Sequence, residues 1–323
     1  MTDPPDEFAW ISRLVPLTQG DPQALGLLDD AAVIPGRPGH DLVVSKDAMV
    51  EGVHFPAGER PDVVARRMLR TSLSDLAAKA AEPFGYFLMT AWPDDRTWTD
   101  REAFIRGLAE DGEAFRVALL GGDTVRTPGP LALSATVLGW CPTGQTILRS
   151  GARVGDSAMV LGAIGDGLLG LMATRGEVRD PGGYLAAHYR MPTPLLALRE
   201  ALRAFAHASA DVSDGLVADA GHVAHASGVR VVLDLACLPL SPNAAAWCAF
   251  QPDERAARVA LATGGDDYAV ICAVAPDEEA ELSRNVAAQG VLAARVGRFE
   301  AGEGVAVSLG ARSVTVRRPG WRH

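Results

Sequence analysis

Aspartates carry the chemistry open to this sequence, and their placement matters more than their number. Asp29 and Asp30 precede an apolar stretch read as a strand, and Asp47 closes the run Leu42-Val43-Val44-Ser45. Asp123 and the pair Asp266-Asp267 each follow two glycines after an apolar segment. Asp75 interrupts an apolar helical face between Leu73 and Leu76, and Asp211 and Asp214 flank Val212-Ser213 where a helix begins. One at a time, most of these read as helix caps or solvated turn residues. Asp75 differs, because a carboxylate inside an apolar face needs a partner. Together, carboxylates beside strand ends and glycine turns are expected to converge at one edge of a sheet, where α/β proteins bind ligands. Two like unit charges about 4 Å apart repel by roughly 4 kcal/mol at an effective dielectric of 20, so such a cluster needs cations to stay ionised. Its donors are hard oxygens, which favour Mg²⁺ over zinc or copper, and bound Mg²⁺ attracts phosphate oxygens.

The rest of the composition narrows the classes. Lys46 and Lys79 are the only lysines, and neither sits in a G-x-x-x-x-G-K-[ST] setting, so a P-loop is excluded. A His-Arg-Asp catalytic loop is also absent. The net charge of −10 argues against nucleic acid or an anionic membrane as a partner. The cysteines at 141, 237, 248 and 272 lie too far apart for zinc-ligand spacing and read as reduced core residues. No apolar run approaches the roughly 18 residues of a membrane span, and the acidic N-terminus has no signal-peptide pattern. A cytoplasmic location is expected. Gly162–Gly170 reads as a tight strand-to-helix turn in preference to a phosphate loop.

The elements that must position these residues alternate. Strands are expected at 42–45, 84–90, 117–120 and 131–140, with helices at 61–80 and near 99–115. Arg149-Ser150-Gly151-Ala152 reads as a domain junction, dividing the chain into 1–148 and 149–323. A second cycle follows: a strand at 157–161, a Gly-rich turn, a helix, then a Pro-broken helix at 193–207. Ala210–Gly215 leads into another helix, strands come near 230–235 and 268–273, and 301–323 holds short strands and loop. The halves echo each other weakly through Ser74-Asp75 and Ser213-Asp214 and their later Gly-Gly-Asp turns.

In order along nearly the whole chain, several segments resemble successive motifs of the thiamine-monophosphate kinase family. They are Gly26–Ala32, Ser45-Lys46-Asp47, Val50-Glu51-Gly52-Val53-His54-Phe55, Leu73–Ala78, Gly121-Gly122-Asp123-Thr124, Asp211–Leu216, Gly264–Tyr268 and the closing Gly320-Trp321-Arg322-His323. The Val50–Phe55 segment is the most specific. The resemblance implies transfer of the ATP γ-phosphate to thiamine monophosphate, assisted by several Mg²⁺ ions, with no covalent protein nucleophile. It implies an α/β (α+β), two-domain fold like that of aminoimidazole ribonucleotide synthetases. A mixed N-terminal sheet with helices, for ATP, Mg²⁺ and dimerisation, would precede a C-terminal α/β domain in a homodimer. Motif by motif, it implies Asp30, Ser45, Asp47, Asp75, Asp123, Asp211 and Asp214 as metal ligands. Gly122, Asp123, Arg149 and Ser213 would touch the nucleotide. His54, Asp266 and Trp321 would contact thiamine phosphate.

Three positions depart from the family pattern. Leu28 stands where glycine is usual, Lys46 where a hydroxyl residue is usual, and Asp266 where glutamate is usual. Lys46 is expected to replace one cation in part with its ammonium. The alternatives are another ATP-using enzyme of the superfamily, such as aminoimidazole ribonucleotide synthetase, or a catalytically silent nucleotide-binding homologue. A reactive N-terminal cysteine, expected of a selenophosphate synthetase, is missing, and so is the C-terminal cysteine of the hydrogenase-maturation dehydratase.

Overall fold

The computed structural model describes residues 7–321. It opens with α1 (Glu7–Leu14), whose Trp10 is buried edge-on against Trp92 and Trp98. Strand β1 (His40–Val50) alternates between half-buried Val43, Ser45 and Asp47 and exposed Leu42, Val44 and Lys46. Helix α2 (Pro61–Ala78) buries Val64, Met68, Leu69, Leu73 and Leu76, which recur at helical spacing. Strand β2 (Glu82–Pro93) leads to α3 (Trp98–Phe115), which starts at a reciprocal Thr97–Asp100 capping box. Two more strands, β3 (Ala118–Thr127) and β4 (Ala132–Pro142), complete a four-stranded sheet of order β1-β4-β2-β3. Only the β2–β3 pair is parallel. The first compact unit comprises the residues up to Leu76 and Ala81–Gly144. Between α2 and α3, buried Asp111 accepts from Arg66 at 3.0 Å and from Arg70 at 2.5 Å.

The second unit comprises Ala77–Ala80 and the chain from Gln145 onward. Its elements are β5 (Ser157–Leu161), α4 (Asp166–Thr174), α5 (Tyr184–Arg190), α6 (Arg199–Phe205), β6 (Ala206–Val212), α7 (Leu216–Ser227) and β7 (Arg230–Asp234). They continue through α8 (Pro242–Ala249), α9 (Glu254–Thr263), β8 (Ala269–Val274), α10 (Glu279–Ala288), β9 (Ala293–Glu300), β10 (Gly304–Leu309) and β11 (Arg312–Ser313). The strands form a mixed seven-stranded sheet of order β11-β10-β7-β9-β5-β8-β6. Every residue of β5 and β8 is buried. Val160, Val212, Leu216, Val223, Ile271 and Phe299 belong to one core cluster of this unit.

Four sequence expectations change here. Asp47 lies inside β1, which runs on to Val50, because pairing with β4 is unbroken from His40 to Val50. Gly121, Gly122 and Asp123 are strand residues of β3, not a turn. The β2 backbone approaches so closely that a Cβ on Gly122 would lie 1.9 Å from the Leu88 carbonyl oxygen. Asp29 and Asp30 lie in a loop, and none of the described residues before β1 forms a strand. The 193–207 segment holds only a 3₁₀ turn and the seven-residue α6, and Ala206 and His207 already belong to β6, where pairing with β8 overrides the helical tendency of alanine.

Candidate functional site

In the first unit, one group forms where β1 faces α2. Ser45 Oγ donates to Asp75 Oδ2 at 2.5 Å. Asp47, two residues on and therefore on the same face of the strand, has its carboxyl pushed up to about 6 by burial and then by the Asp75 charge, while a hydrogen bond with Ser72 works against the rise. Two carboxylates and a hydroxyl in mutual range, one resisting its own charge, make a hard-oxygen set suited to a divalent cation. Lys46 is not part of it. Its ammonium reaches Thr136 Oγ1 at 3.5 Å on the opposite face of the sheet, so strand alternation keeps it from standing in for a cation between Asp47 and Asp75.

A second group lines a cavity of about 310 Å³ between the N-terminal segment and β3. Its walls include Trp10, Asp29, Asp30, Gly122, Asp123 and Thr124. Cross-strand register carries Asp123 through Met89 and Ser134 to Ala48, which puts it on the face opposite Asp47. The five metal-ligand candidates of this unit thus divide into Ser45–Asp47–Asp75 and Asp30–Asp123. Close approach of β2 already requires Gly122, whatever it binds. Leu28 is 91% exposed, clear of any packing role.

His54 sits on the loop after β1. The Val50 N–H donates to its Nδ1 at 3.0 Å, which puts the proton of the neutral ring on Nε2. Burial works against the charge of neighbouring Glu51. Hydrogen bonds from the Gly58 N–H at 2.8 Å and from Arg96 outweigh that effect and hold its carboxyl below the usual range. Glu51 therefore ties the His54 loop shut.

In the second unit the candidates gather on the turn between β6 and α7. Asp211 is buried near the end of β6, and Ser213 and Asp214 follow in the turn. The Asp266 N–H donates to the Ser213 carbonyl at 2.8 Å, and the Trp321 N–H donates to the Asp214 carbonyl at 2.9 Å. Asp266 itself is held at φ 61°, a left-handed conformation uncommon for a non-glycine residue, and its carboxylate accepts from Tyr268 Oη at 3.0 Å. Trp321 is 55% exposed. Arg149 is exposed, and its charge favours the ionised form of Asp219.

Asp219 escaped the sequence reading. It is 1% exposed, and burial first, then the Asp214 charge, push its carboxyl up to about 7. Asp214, Asp219 and His222 each bring a ligand atom within 4.8 Å of the others. The signal was present: Asp219 interrupts the buried face of Leu216, Ala220 and Val223, as Asp75 interrupts its own helix. Asp267 is buried too, and its Oδ1 accepts the Gly165 and Gly167 N–H groups at 2.8 and 3.0 Å. The 162–167 segment is thereby fixed as a strand-to-helix turn.

Among the described residues, no helix is long and apolar enough to cross a membrane. Residues 28–141 match the family model for the AIR synthase related protein N-terminal domain, and 153–310 match its C-terminal domain. A thiamine-monophosphate kinase from Caulobacter vibrioides is 58% identical over 321 residues, covering 99% of this chain and 91% of the relative. The crystal structure of thiamine-monophosphate kinase from Stenotrophomonas maltophilia is similar at a TM-score of 0.83 and 36% identity, covering 93% of this chain and 96% of that one. AaThiL complexed with AMPPCP and TMP is similar at a TM-score of 0.77 and 26% identity, over 98% and 96% of the two chains. With both domain models matched in order, and a relative of this identity spanning nearly its whole length, the chain belongs to the thiamine-monophosphate kinase family.

Proposed function

We propose that this chain transfers the γ-phosphate of ATP to thiamine monophosphate, giving thiamine diphosphate and ADP, as a cytoplasmic, Mg²⁺-dependent homodimer. Full-length likeness to thiamine-monophosphate kinases supports the reaction. The observation that carries the metal assignment is the Ser45–Asp47–Asp75 group, where Asp47 resists ionisation beside a second carboxylate. In the first unit Asp30, Ser45, Asp47, Asp75 and Asp123 would hold Mg²⁺, and Gly122 and Asp123 would border the nucleotide. In the second, Asp211 and Asp214 would be ligands and Arg149 and Ser213 nucleotide contacts. Bound Mg²⁺ would supply charge neutralisation at the transferring phosphoryl group. The protein's own task is to hold donor and acceptor in line, since phosphoryl transfer needs positioning more than a covalent nucleophile. Trp321 offers an exposed indole on which the cationic thiazolium can rest. His54 and Asp266 complete the acceptor contacts.

The dimer rests on one face of the four-stranded sheet. Leu42, Val44, Met89 and Val125 are all exposed there, on strands whose edges β1 and β3 are unpaired within the unit. A second copy of that face would cover them.

The test is turnover with Mg-ATP and thiamine monophosphate, following thiamine diphosphate and ADP by chromatography. Equal amounts of both products are expected, with loss of both when the metal is chelated. A folded protein that binds Mg-ATP yet forms no thiamine diphosphate would overturn the reading and leave the silent homologue.

A further inference from the structure

The turn at 212–215 is held from both sides by hydrogen bonds that share the same peptide units. On one side a single oxygen, Asp219 Oδ2, accepts the N–H groups of Ser213 and Asp214 at 3.1 Å and of Gly215 at 3.2 Å. On the other side, the Val212 carbonyl accepts the Tyr268 N–H at 2.8 Å, the Ser213 carbonyl accepts that of Asp266 at 2.8 Å, and the Asp214 carbonyl accepts that of Trp321 at 2.9 Å. The N–H of each residue belongs to the same planar unit as the carbonyl before it. In a trans peptide the two point in opposite directions. Three consecutive peptide planes therefore each have the Asp219 carboxylate on one side and an amide of the 266–268 loop or of the C-terminal segment on the other.

From this geometry we infer that Asp219 is a positioning residue for the acceptor-binding segments. It sets the tilt of three peptide planes at once, and those planes set where the backbones of Asp266, Tyr268 and Trp321 sit. The alignment is cooperative, because the donors converge on one oxygen and rotation of one plane disturbs its neighbours. An ordinary helix cap would satisfy one or two orphan N–H groups and end there. Here the far side of every capped peptide carries one of the two other segments. The 266–268 loop is costly to hold in place, with Asp266 at φ 61° and Tyr268 at φ 51°, and two of the three bonds restrain it. Gly320 is closed in as well: a Cβ there would lie 2.5 Å from the Asp214 carbonyl oxygen, so the C-terminal segment cannot drift along the turn. Asp219 thus acts through Asp214, Asp266 and Trp321 and is not assigned a contact with either substrate. The kinetic part of this inference rests on the proposed reaction; the geometric part does not.

Asp219→Asn keeps the size of the side chain and one acceptor oxygen but removes the charge shared by three donors. Hydrogen–deuterium exchange of the substrate-free variant is expected to quicken together at 213–215, 266–268 and 321, with the sheet strands β5 and β8 unchanged. Steady-state kinetics are expected to show a KM for thiamine monophosphate raised about tenfold. Asp219→Ala should show a larger rise, and combining it with Trp321→Ala should raise KM by less than the product of the separate effects. A purely structural role would lower the active fraction, and hence the apparent kcat, while leaving KM and the exchange at 266–268 and 321 as they were. Faster exchange confined to 213–215, or an unchanged KM in Asp219→Asn, would overturn the inference. If Asp219→Ala does not fold, the Asn variant still decides. Failure of the wild-type protein to make thiamine diphosphate would strike the proposed reaction alone, and the exchange pattern would still test the coupling.

Discussion

Asp47 is buried within reach of the Asp75 charge, and both effects oppose its ionisation. Burial and the Asp75 charge raise the Asp47 carboxyl to about 6, above its unfolded value near 4. A carboxyl raised on folding binds its proton more tightly in the native state. Its contribution to stability is therefore complete below about pH 4 and is lost as pH rises through about 6. In metal-free protein, Asp47→Asn should be more stable than the wild type at pH 7.5, by at most about 3 kcal/mol, and the difference should vanish near pH 4. Denaturant titrations in chelator at the two pH values check this; a variant less stable at pH 7.5 would contradict it. The proposed reaction would draw on the same two carboxylates. Asp75→Asn, with its fold confirmed by circular dichroism, should lose about two orders of magnitude or more in turnover, as expected when charge stabilisation at a transferring phosphoryl group is removed.

At the scale of elements, the α2–α3 pair depends on one buried ion cluster. Asp111 has no exposed side-chain surface, while Arg66 and Arg70 reach it from the other helix. Asp111→Ala would remove the buried carboxylate that Arg66 and Arg70 share, leaving Arg66 its more exposed partner Glu110 at 2.9 Å, at a cost of roughly 3 kcal/mol. A shift of less than about 1 kcal/mol in the urea midpoint stability would show that water replaces the carboxylate easily. Gly167 tests the second unit in the same way. A Cβ there would lie 2.3 Å from the backbone of Asp266, so Gly167→Ala should displace the 264–268 loop. Its expected cost is roughly 1–3 kcal/mol of stability, with a raised KM for thiamine monophosphate; an unchanged KM would detach the loop from acceptor binding.

What was legible in the sequence follows from how local each signal is. Strand 157–161 and the 61–78 helix could be read because a short apolar run and a long apolar period identify themselves. The extended state of Gly121-Gly122-Asp123 could not, since it depends on the β2 backbone lying against Gly122, a contact between distant residues. Ala206 and His207 read as the end of a helix at 193–207 until the pairing of β6 with β8 is known. Among candidate site residues, those in compact motifs are legible from the sequence alone. Asp219 is harder to recognise, because it stands outside the Asp-Val-Ser-Asp-Gly run whose N–H groups it accepts. The face to which Lys46 points depends on strand register, which a motif does not encode.

At the scale of the whole molecule, the exposed apolar side chains Leu42, Val44, Met89 and Val125 are the feature that a single copy leaves uncovered. Val44→Lys places a charge among these apolar side chains, midway along edge strand β1. Sedimentation velocity should show a wild-type dimer and a variant shifted towards monomer by at least tenfold in dissociation constant. Identical behaviour of the two proteins would place the dimer contact elsewhere or remove it. Turnover should fall with dimerisation if the Asp30–Asp123 group needs a second copy to meet Ser45, Asp47 and Asp75.

The end of α2 has a consequence for the gene. Ala77–Ala80 belong to the second unit, where Lys79 Nζ donates to the Ser209 carbonyl and Arg203 donates to the Ala80 carbonyl at 2.7 Å, while Ala78 and Ala80 join Leu198 and Leu202 in its apolar core. Severing the coding sequence at codon 145 would strip four residues from the later product and leave them stranded on the earlier one. Neither half should therefore behave as an interchangeable cassette, and recombination that respects this fold has to exchange 77–80 along with everything after 144.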